Sequence, residues 1–166
     1  MINKLMEALK RGEDHARRDI EAKMQQTVLE ETVDYVIQNM GKAHVRANPF
    51  EVYDYVLYTQ ELIEGLYCEL GVFQATSINY VAKKIKTNIH GFDSFEGLPE
   101  FWYGEYEKGA FDLKGQLPSV EPNVILHKGW FNDNIPQFIH KYKEPLAFLH
   151  VDCDLYSSTK TIFNLM

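Results

Sequence analysis

The 166-residue sequence is short of cysteine, of net positive charge and of long apolar runs, and each shortage excludes a class of protein. Its 2 cysteines, Cys68 and Cys153, form no CxxC pair, so neither a disulfide scaffold nor a cysteine-rich zinc site is expected, and a reduced, cytoplasmic setting is. Lys and Arg number 17 against 24 Asp and Glu, a net charge of −7, whereas neutralising phosphates takes clustered basic residues. No nucleic-acid partner is expected. No apolar run approaches the ~18 residues of a membrane span, and residues 1–10 have helical spacing rather than the core of a signal peptide. No membrane partner is expected either. The 6 histidines make no HExxH pair, and Ser157 has no GxSxG setting, so neither zincin nor serine-hydrolase chemistry is indicated. Cys153 lies between two acids, which disfavour a thiolate nucleophile.

What remains is ordinary globular usage, 45% hydrophobic and 25% charged, in a length that can bury a core. Residues 1–64 read as a helical segment and 65–166 as an α/β domain. Ile2, Leu5, Met6 and Leu9 make one helical stripe, and Val28, Leu29, Val33, Val36, Ile37 and Met40 a second, which Gly41 ends as a C-cap. Between the stripes a charged run containing Gly12 predicts a break. A further helix starts at Asn48-Pro49 with Glu51 in capping-box spacing; its apolar face runs from Val52 to Ile63, and Gly65 closes it. From Leu66 the pattern changes to short apolar runs over 66–71, 88–93, 123–127 and 145–151, which predict four strands. Helices are expected after Ser77 (Ile78, Val81, Ile85), around Pro136 and Phe138, and after a cap at Ser157 and Ser158. Strands alternating with helices mean a parallel sheet with right-handed crossovers.

In such sheets ligands bind beyond the carboxyl ends of the strands. If the first and fourth strands are neighbours, Glu69 and Gly71 face Asp152 and Asp154 there. Asp93 ends the second strand at roughly the 20-residue separation that suits a carboxylate binding a ribose. The loop ELGVFQATS is not a GxGxxG fingerprint, which argues against a dinucleotide diphosphate, and Glu69 would repel one. The cationic S-adenosylmethionine fits better. Asp152 and Asp154, spaced i, i+2, could hold a divalent cation, or one could cap the following helix while the other is solvated. The 94–122 connection is longer than structureless loops usually are and concentrates Phe95, Phe101, Trp102, Tyr103, Tyr106 and Phe111. It reads equally as a lid over a pocket or as a packed surface excursion.

Four motifs, ELGVFQATS (69–77), GFDSFEGLPE (91–100), KGWF (128–131) and HVDCDLYSST (150–159), resemble the macrocin O-methyltransferase (TylF-type) family of class I S-adenosylmethionine-dependent methyltransferases. The resemblance covers roughly residue 61 onward. It implies a Rossmann-like sheet, S-adenosylmethionine as methyl donor, Mg²⁺, and a small-molecule acceptor hydroxyl on a sugar or natural-product-like compound. Carried over by position, it puts Glu69, Gly71 and Ser77 around the methionine end of the cofactor and Asp93 on the ribose. Ser94 and Phe95 would lie near the adenosine, and Gly129, Trp130 and Phe131 would flank the adenine. Asp152 would be a metal ligand and the acid nearest the chemistry, with Asp154 positioning cofactor or metal. Ala75 stands where the family has glycine, and the sequence stops before the family's fifth strand, whose acidic pair completes the metal site.

The sequence thus predicts a Rossmann-like methyltransferase sheet that ends after its fourth strand, with extra N-terminal helices. The rival from another class is a non-catalytic nucleoside-binding or assembly module, whose open sheet edge would pair with a second chain as a homo-oligomer. A dinucleotide oxidoreductase is disfavoured by the single glycine at Gly71.

Overall fold

The computed structural model describes Lys4, Met6 and residues 19–59 and 61–166. The chain divides into two compact units, Met1–Val45 and Arg46–Met166. The first holds α1 (Ile20–Met40), started by Asp19, whose side chain accepts from the Ala22 amide at 3.0 Å. The predicted stripe from Val28 to Met40 lies on this helix and is exposed along its length. Gly41 follows it but stays right-handed (φ −60), so the expected left-handed glycine cap does not form. The predicted stripe Ile2–Leu9 and the break after it fall outside the described residues, apart from Lys4, Met6 and Asp19.

The second unit runs α2 (Pro49–Thr59), β1 (Leu66–Leu70), α3 (Thr76–Ala82), β2 (Ile89–Asp93), β3 (Val124–Lys128), α4 (Phe131–Lys141), β4 (Leu146–Val151) and α5 (Tyr156–Leu165). The four strands form one parallel sheet in the order β3-β2-β1-β4, so the first and fourth strands are neighbours, which meets the condition on which Glu69 and Gly71 face Asp152 and Asp154. This is a Rossmann-like parallel α/β sheet with helices on both faces.

Alternation along the strands, offset once by a register shift between Leu66 and Tyr67 in the β1–β4 pairing, builds two cores. Ile89, Val124 and Phe148 point to the face covered by Ile78 and Val81 of α3, with Tyr53, Val56 and Leu57 of α2 packed alongside. Cys68, Leu70 and Phe92 point to the other, against Ile135 and Phe138 of α4 and Ile162 of α5. The period of two sorts side chains between faces, and both faces are buried because the crossovers lay helices on each.

Several helix ends differ from expectation. Around Asn48 the capping bonds form, with the Glu51 amide donating to Asn48 Oδ1 at 3.1 Å, while the Glu51 carboxylate accepts from the Ala47 amide and the Asn48 side chain. The helix stops at Thr59, however, leaving Leu62 and Ile63 outside it. Helix α3 ends at Ala82, before Ile85, and its N-cap is Ala75 rather than a serine. Helix α5 starts from Leu155 with no side-chain cap, so Ser157 and Ser158 are not the predicted caps. Two of the three serines singled out as caps, Ser77 and Ser157, each bond a carboxylate instead.

The 94–122 excursion is folded on itself. The Leu98 amide donates to the Ala110 carbonyl and the Gly109 amide to Leu98, both at 2.9 Å, and Leu113 and Gly115 both donate to the Phe95 carbonyl. Phe95 and Leu98 are buried, and Trp102, Tyr103, Tyr106 and Phe111 form a chain of ring contacts above them.

Candidate functional site

A cavity of about 320 Å³ opens at the carboxyl ends of β1, β2 and β4, beside the point where strand order reverses. That is where the crossovers leave a crevice, and the volume is within the range of small-molecule sites. Of the residues singled out from sequence, Gly71, Ser77, Asp93, Ser94, Gly129, Trp130, Phe131, Asp152 and Asp154 line it. Glu69 and Phe95 do not: both are buried beneath it, at 0% and 1% exposure.

Asp93 is the keystone of the floor. Its Oδ2 accepts from the amides of Val72 (2.8 Å) and Phe73 (2.9 Å), and its Oδ1 from the amide of Phe95 (2.7 Å). One carboxylate therefore ties the turn after β1 to the turn after β2. Two lone pairs per oxygen leave Oδ1 with room for one further donor, not two. Around it the backbone is held in unfavourable conformations: Phe73, Ala75, Phe95 and Asp154 all have positive φ, between 45° and 64°. Each such residue costs roughly 1–3 kcal/mol and persists where surrounding bonds over-determine it, commonly at binding sites. Ala75 is thus a left-handed alanine at the position where the resembled family has glycine.

Glu69 is fully buried yet satisfied. Its Oε1 accepts from Ser77 Oγ at 2.8 Å, and its Oε2 lies 2.9 Å from His150 Nδ1, the residue paired with it in the β1–β4 register. His150 Nε2 in turn lies 3.3 Å from the Tyr53 hydroxyl. Burial works against the charged imidazole of His150, but the hydrogen bond and charge of Glu69, with Asp152 adding to them, outweigh it and raise its pKa. The Tyr53 phenol is pushed up to about 12 by burial, and further by Glu69 and Asp152. Nothing in the sequence singled out His150, whose partner Glu69 comes opposite it only through the pairing of β1 with β4.

The acids at the rim feel one another. Burial raises the pKa of Asp154, and the charges of Asp152 and Asp93 raise it further. Burial likewise raises the Cys153 thiol, with Asp154 and Asp152 adding to it, so this cysteine is a poor nucleophile as the sequence suggested. Phe73 and Phe111 meet edge to face, ring centroids 5.4 Å apart, and both line the cavity along with Leu98 and Pro99. Phe73 was missed from sequence because nothing in GVFQA marks its left-handed backbone. The excursion is therefore a packed element that also supplies a wall, which joins the two readings its sequence allowed.

Among the described residues no group of three or more His, Cys, Asp or Glu is placed to hold a metal ion. Asp152 and Asp154 alone do not make a magnesium site, and no step below depends on one. Among the same residues no helix is long and apolar enough to cross a membrane.

No protein-family model and no curated protein sequence matches the chain. Solved structures do. The crystal structure of CalS11, calicheamicin methyltransferase, aligns with a TM-score of 0.58 at 18% identity, covering 89% of this chain and 73% of that one. An apo structure of CalS11, described as a TDP-rhamnose 3'-O-methyltransferase, aligns at 0.47 and 16% identity, with coverage of 89% and 72%. The O-methyltransferase NovP aligns at 0.48 and 20%, covering 70% of this chain and 58% of that one. The first of these shows a shared fold.

Proposed function

We propose that the chain binds S-adenosylmethionine in this cavity and belongs to an O-methyltransferase of the macrocin (TylF-type) kind, acting on a hydroxyl of a sugar or similar small molecule. The observation that carries the reading is the convergence of all four motif segments on one cavity at the switch point of a methyltransferase-like sheet. The donor is a cation, which suits a rim carrying Asp93, Asp152 and Asp154 and no lysine or arginine. Asp93 Oδ1 would take one ribose hydroxyl, Trp130 and Phe131 would flank the adenine, and Phe73 and Phe111 would form the apolar wall of the acceptor subsite. The sugar as acceptor class rests on the motif resemblance.

In the reaction the acceptor oxygen attacks the sulfonium methyl, a C–O bond forms as the C–S bond breaks, and the sulfur leaves as a neutral thioether. The hydroxyl proton passes to the Asp152 carboxylate. Alignment of oxygen, methyl and sulfur would supply much of the acceleration, and Asp152 the general-base share.

The test is calorimetric titration with S-adenosylhomocysteine. Micromolar binding is expected, retained in Asp152→Asn, while methyl transfer to a hydroxyl acceptor is lost in that variant. No binding by a cooperatively folded protein would overturn the reading and leave a module that keeps the motifs for assembly.

A further inference from the structure

We infer that the cavity is gated by a latch between the excursion and α5, made by Glu100 and Ser157. Ser157 Oγ donates to Glu100 Oε1 at 2.5 Å, joining residues 57 positions apart in the chain. The two partners flank the cavity from opposite sides: Leu98 and Pro99, just before Glu100, line it, and so does Ser158, just after Ser157. Whatever separates Glu100 from Ser157 also separates two walls of the cavity.

The local structure favours such a contact and also lets it break. Helix α5 has no side-chain N-cap, so the Glu100 carboxylate supplies the negative charge that a helix N-terminus favours. Both partners are exposed, so water can replace the bond when it opens. The segment carrying Glu100 springs from a fixed base: Gly97, at φ +77, sits so near the Ala110 and Gly109 carbonyls that a Cβ would overlap them, and Leu98 exchanges backbone hydrogen bonds with Ala110 and Gly109. The base is held further by the Leu113 and Gly115 amides on the Phe95 carbonyl and by Lys128 Nζ on the Gly115 carbonyl. A fixed base and a tip, residues 99–108, held to α5 by one polar contact are the parts of a gate. Neither serine-as-cap nor loop-as-lid was the full reading of these motifs; the LPE and YSST segments meet here.

The gate can be read without any ligand, because Cys153 lines the cavity while Cys68 is fully buried in the core. Thiol labelling of the full chain is followed for each cysteine by peptide mass spectrometry. Ser157→Ala and Glu100→Ala are each expected to speed Cys153 labelling by about tenfold, the effect of losing one charge-assisted hydrogen bond. Glu100→Gln, which keeps an acceptor for Ser157 but not the charge, is expected to fall between the wild type and Glu100→Ala. Cys68 should remain unlabelled throughout, which separates opening of the gate from general unfolding. Unchanged Cys153 labelling in both alanine variants would overturn the latch, and so would acceleration in Glu100→Gln equal to that in Glu100→Ala. The release rate of S-adenosylhomocysteine, which rests on the proposed function, should rise by a similar factor in the alanine variants. Faster labelling in a protein that does not bind this nucleoside would keep the latch and reject the cofactor.

Discussion

Gly71 and Asp152 cross so closely that residue 71 can carry no side chain. A Cβ there would overlap the Asp152 carbonyl oxygen, the Asp152 amide donates to the Leu70 carbonyl at 2.8 Å, and Gly71 itself sits at φ +94. The close approach sets the separation of the β1 and β4 loops and so the floor of the cavity. Gly71→Ala combines a left-handed penalty with overpacking against backbone, and should cost about 3 kcal/mol or more. Chemical denaturation would show this as a lower midpoint with unchanged slope. A midpoint equal to wild type would mean that the two loops are not in contact.

Asp93 is expected to stabilise the fold as well as the ligand. Asp93→Ala removes the acceptor for three amides, those of Val72, Phe73 and Phe95, and should lower stability by about 2 kcal/mol. The ribose role is separated from this by comparing S-adenosylhomocysteine with an analogue lacking ribose hydroxyls. If Oδ1 takes one hydroxyl, deleting it from the ligand weakens binding to the wild type and not to Asp93→Ala. Equal weakening in both proteins would leave Asp93 with the structural role alone.

How far these features could be read from sequence depends on how local their causes are. The strands follow from short apolar runs, but the pairing of β1 with β4 entered only as a condition, since strand order is set by packing between segments far apart in the chain. Ser77 and Ser157 were misread because a serine hydroxyl can satisfy either its own helix or a distant acid, and Glu69 and Glu100 come within reach only after folding. The end of α2 was misread for a related reason. Leu62 and Ile63 continue the helical spacing, yet the chain leaves the helix at Thr59 to enter β1. The left-handed backbone at Phe73 and Phe95 had no signal, since these residues are held by Asp93 and, at the Phe95 carbonyl, by the Leu113 and Gly115 amides. Ala75 did leave a trace, as an alanine where the resembled family has glycine.

Acid should weaken the fold through His90 and His127. His90 Nδ1 lies 3.0 Å from His127 Nε2, amid Phe92, Phe138 and Tyr142 on the α4 side of the sheet. Burial lowers both pKa values, that of His127 to about 4; the charges of His90 and Lys141 add to the effect at His127, while at His90 Lys141 adds to it and Glu144 opposes. A histidine with a depressed folded pKa favours the folded state while neutral, so this contribution is complete above the unfolded value of about 6.5. It is lost progressively as pH falls from there to about 4, with a total on the order of 2 kcal/mol after allowing for partial exposure. His127→Gln, which keeps a partner for His90, should flatten the decline in urea midpoint across that range. A parallel decline in variant and wild type would assign the acid sensitivity to other groups.

The three carboxylates at the cavity should tell the methyl donor from its product. S-adenosylmethionine carries a sulfonium charge that S-adenosylhomocysteine lacks, so only the donor gains from the field of Asp93, Asp152 and Asp154. Raising ionic strength should therefore weaken donor binding more than product binding. Asp154→Asn should narrow the affinity ratio by about threefold to tenfold, the effect of one partly screened charge at close range. Because burial and its two acidic neighbours raise the Asp154 pKa, that carboxylate is neutralised at a higher pH than an ordinary aspartate, and the preference for the donor should begin to fade at correspondingly mild acidity. Parallel titrations of the two nucleosides across salt and pH measure the ratio directly. A ratio that ignores salt, pH and Asp154→Asn would place the sulfonium away from this acidic rim and move the methyl-transfer centre elsewhere in the cavity.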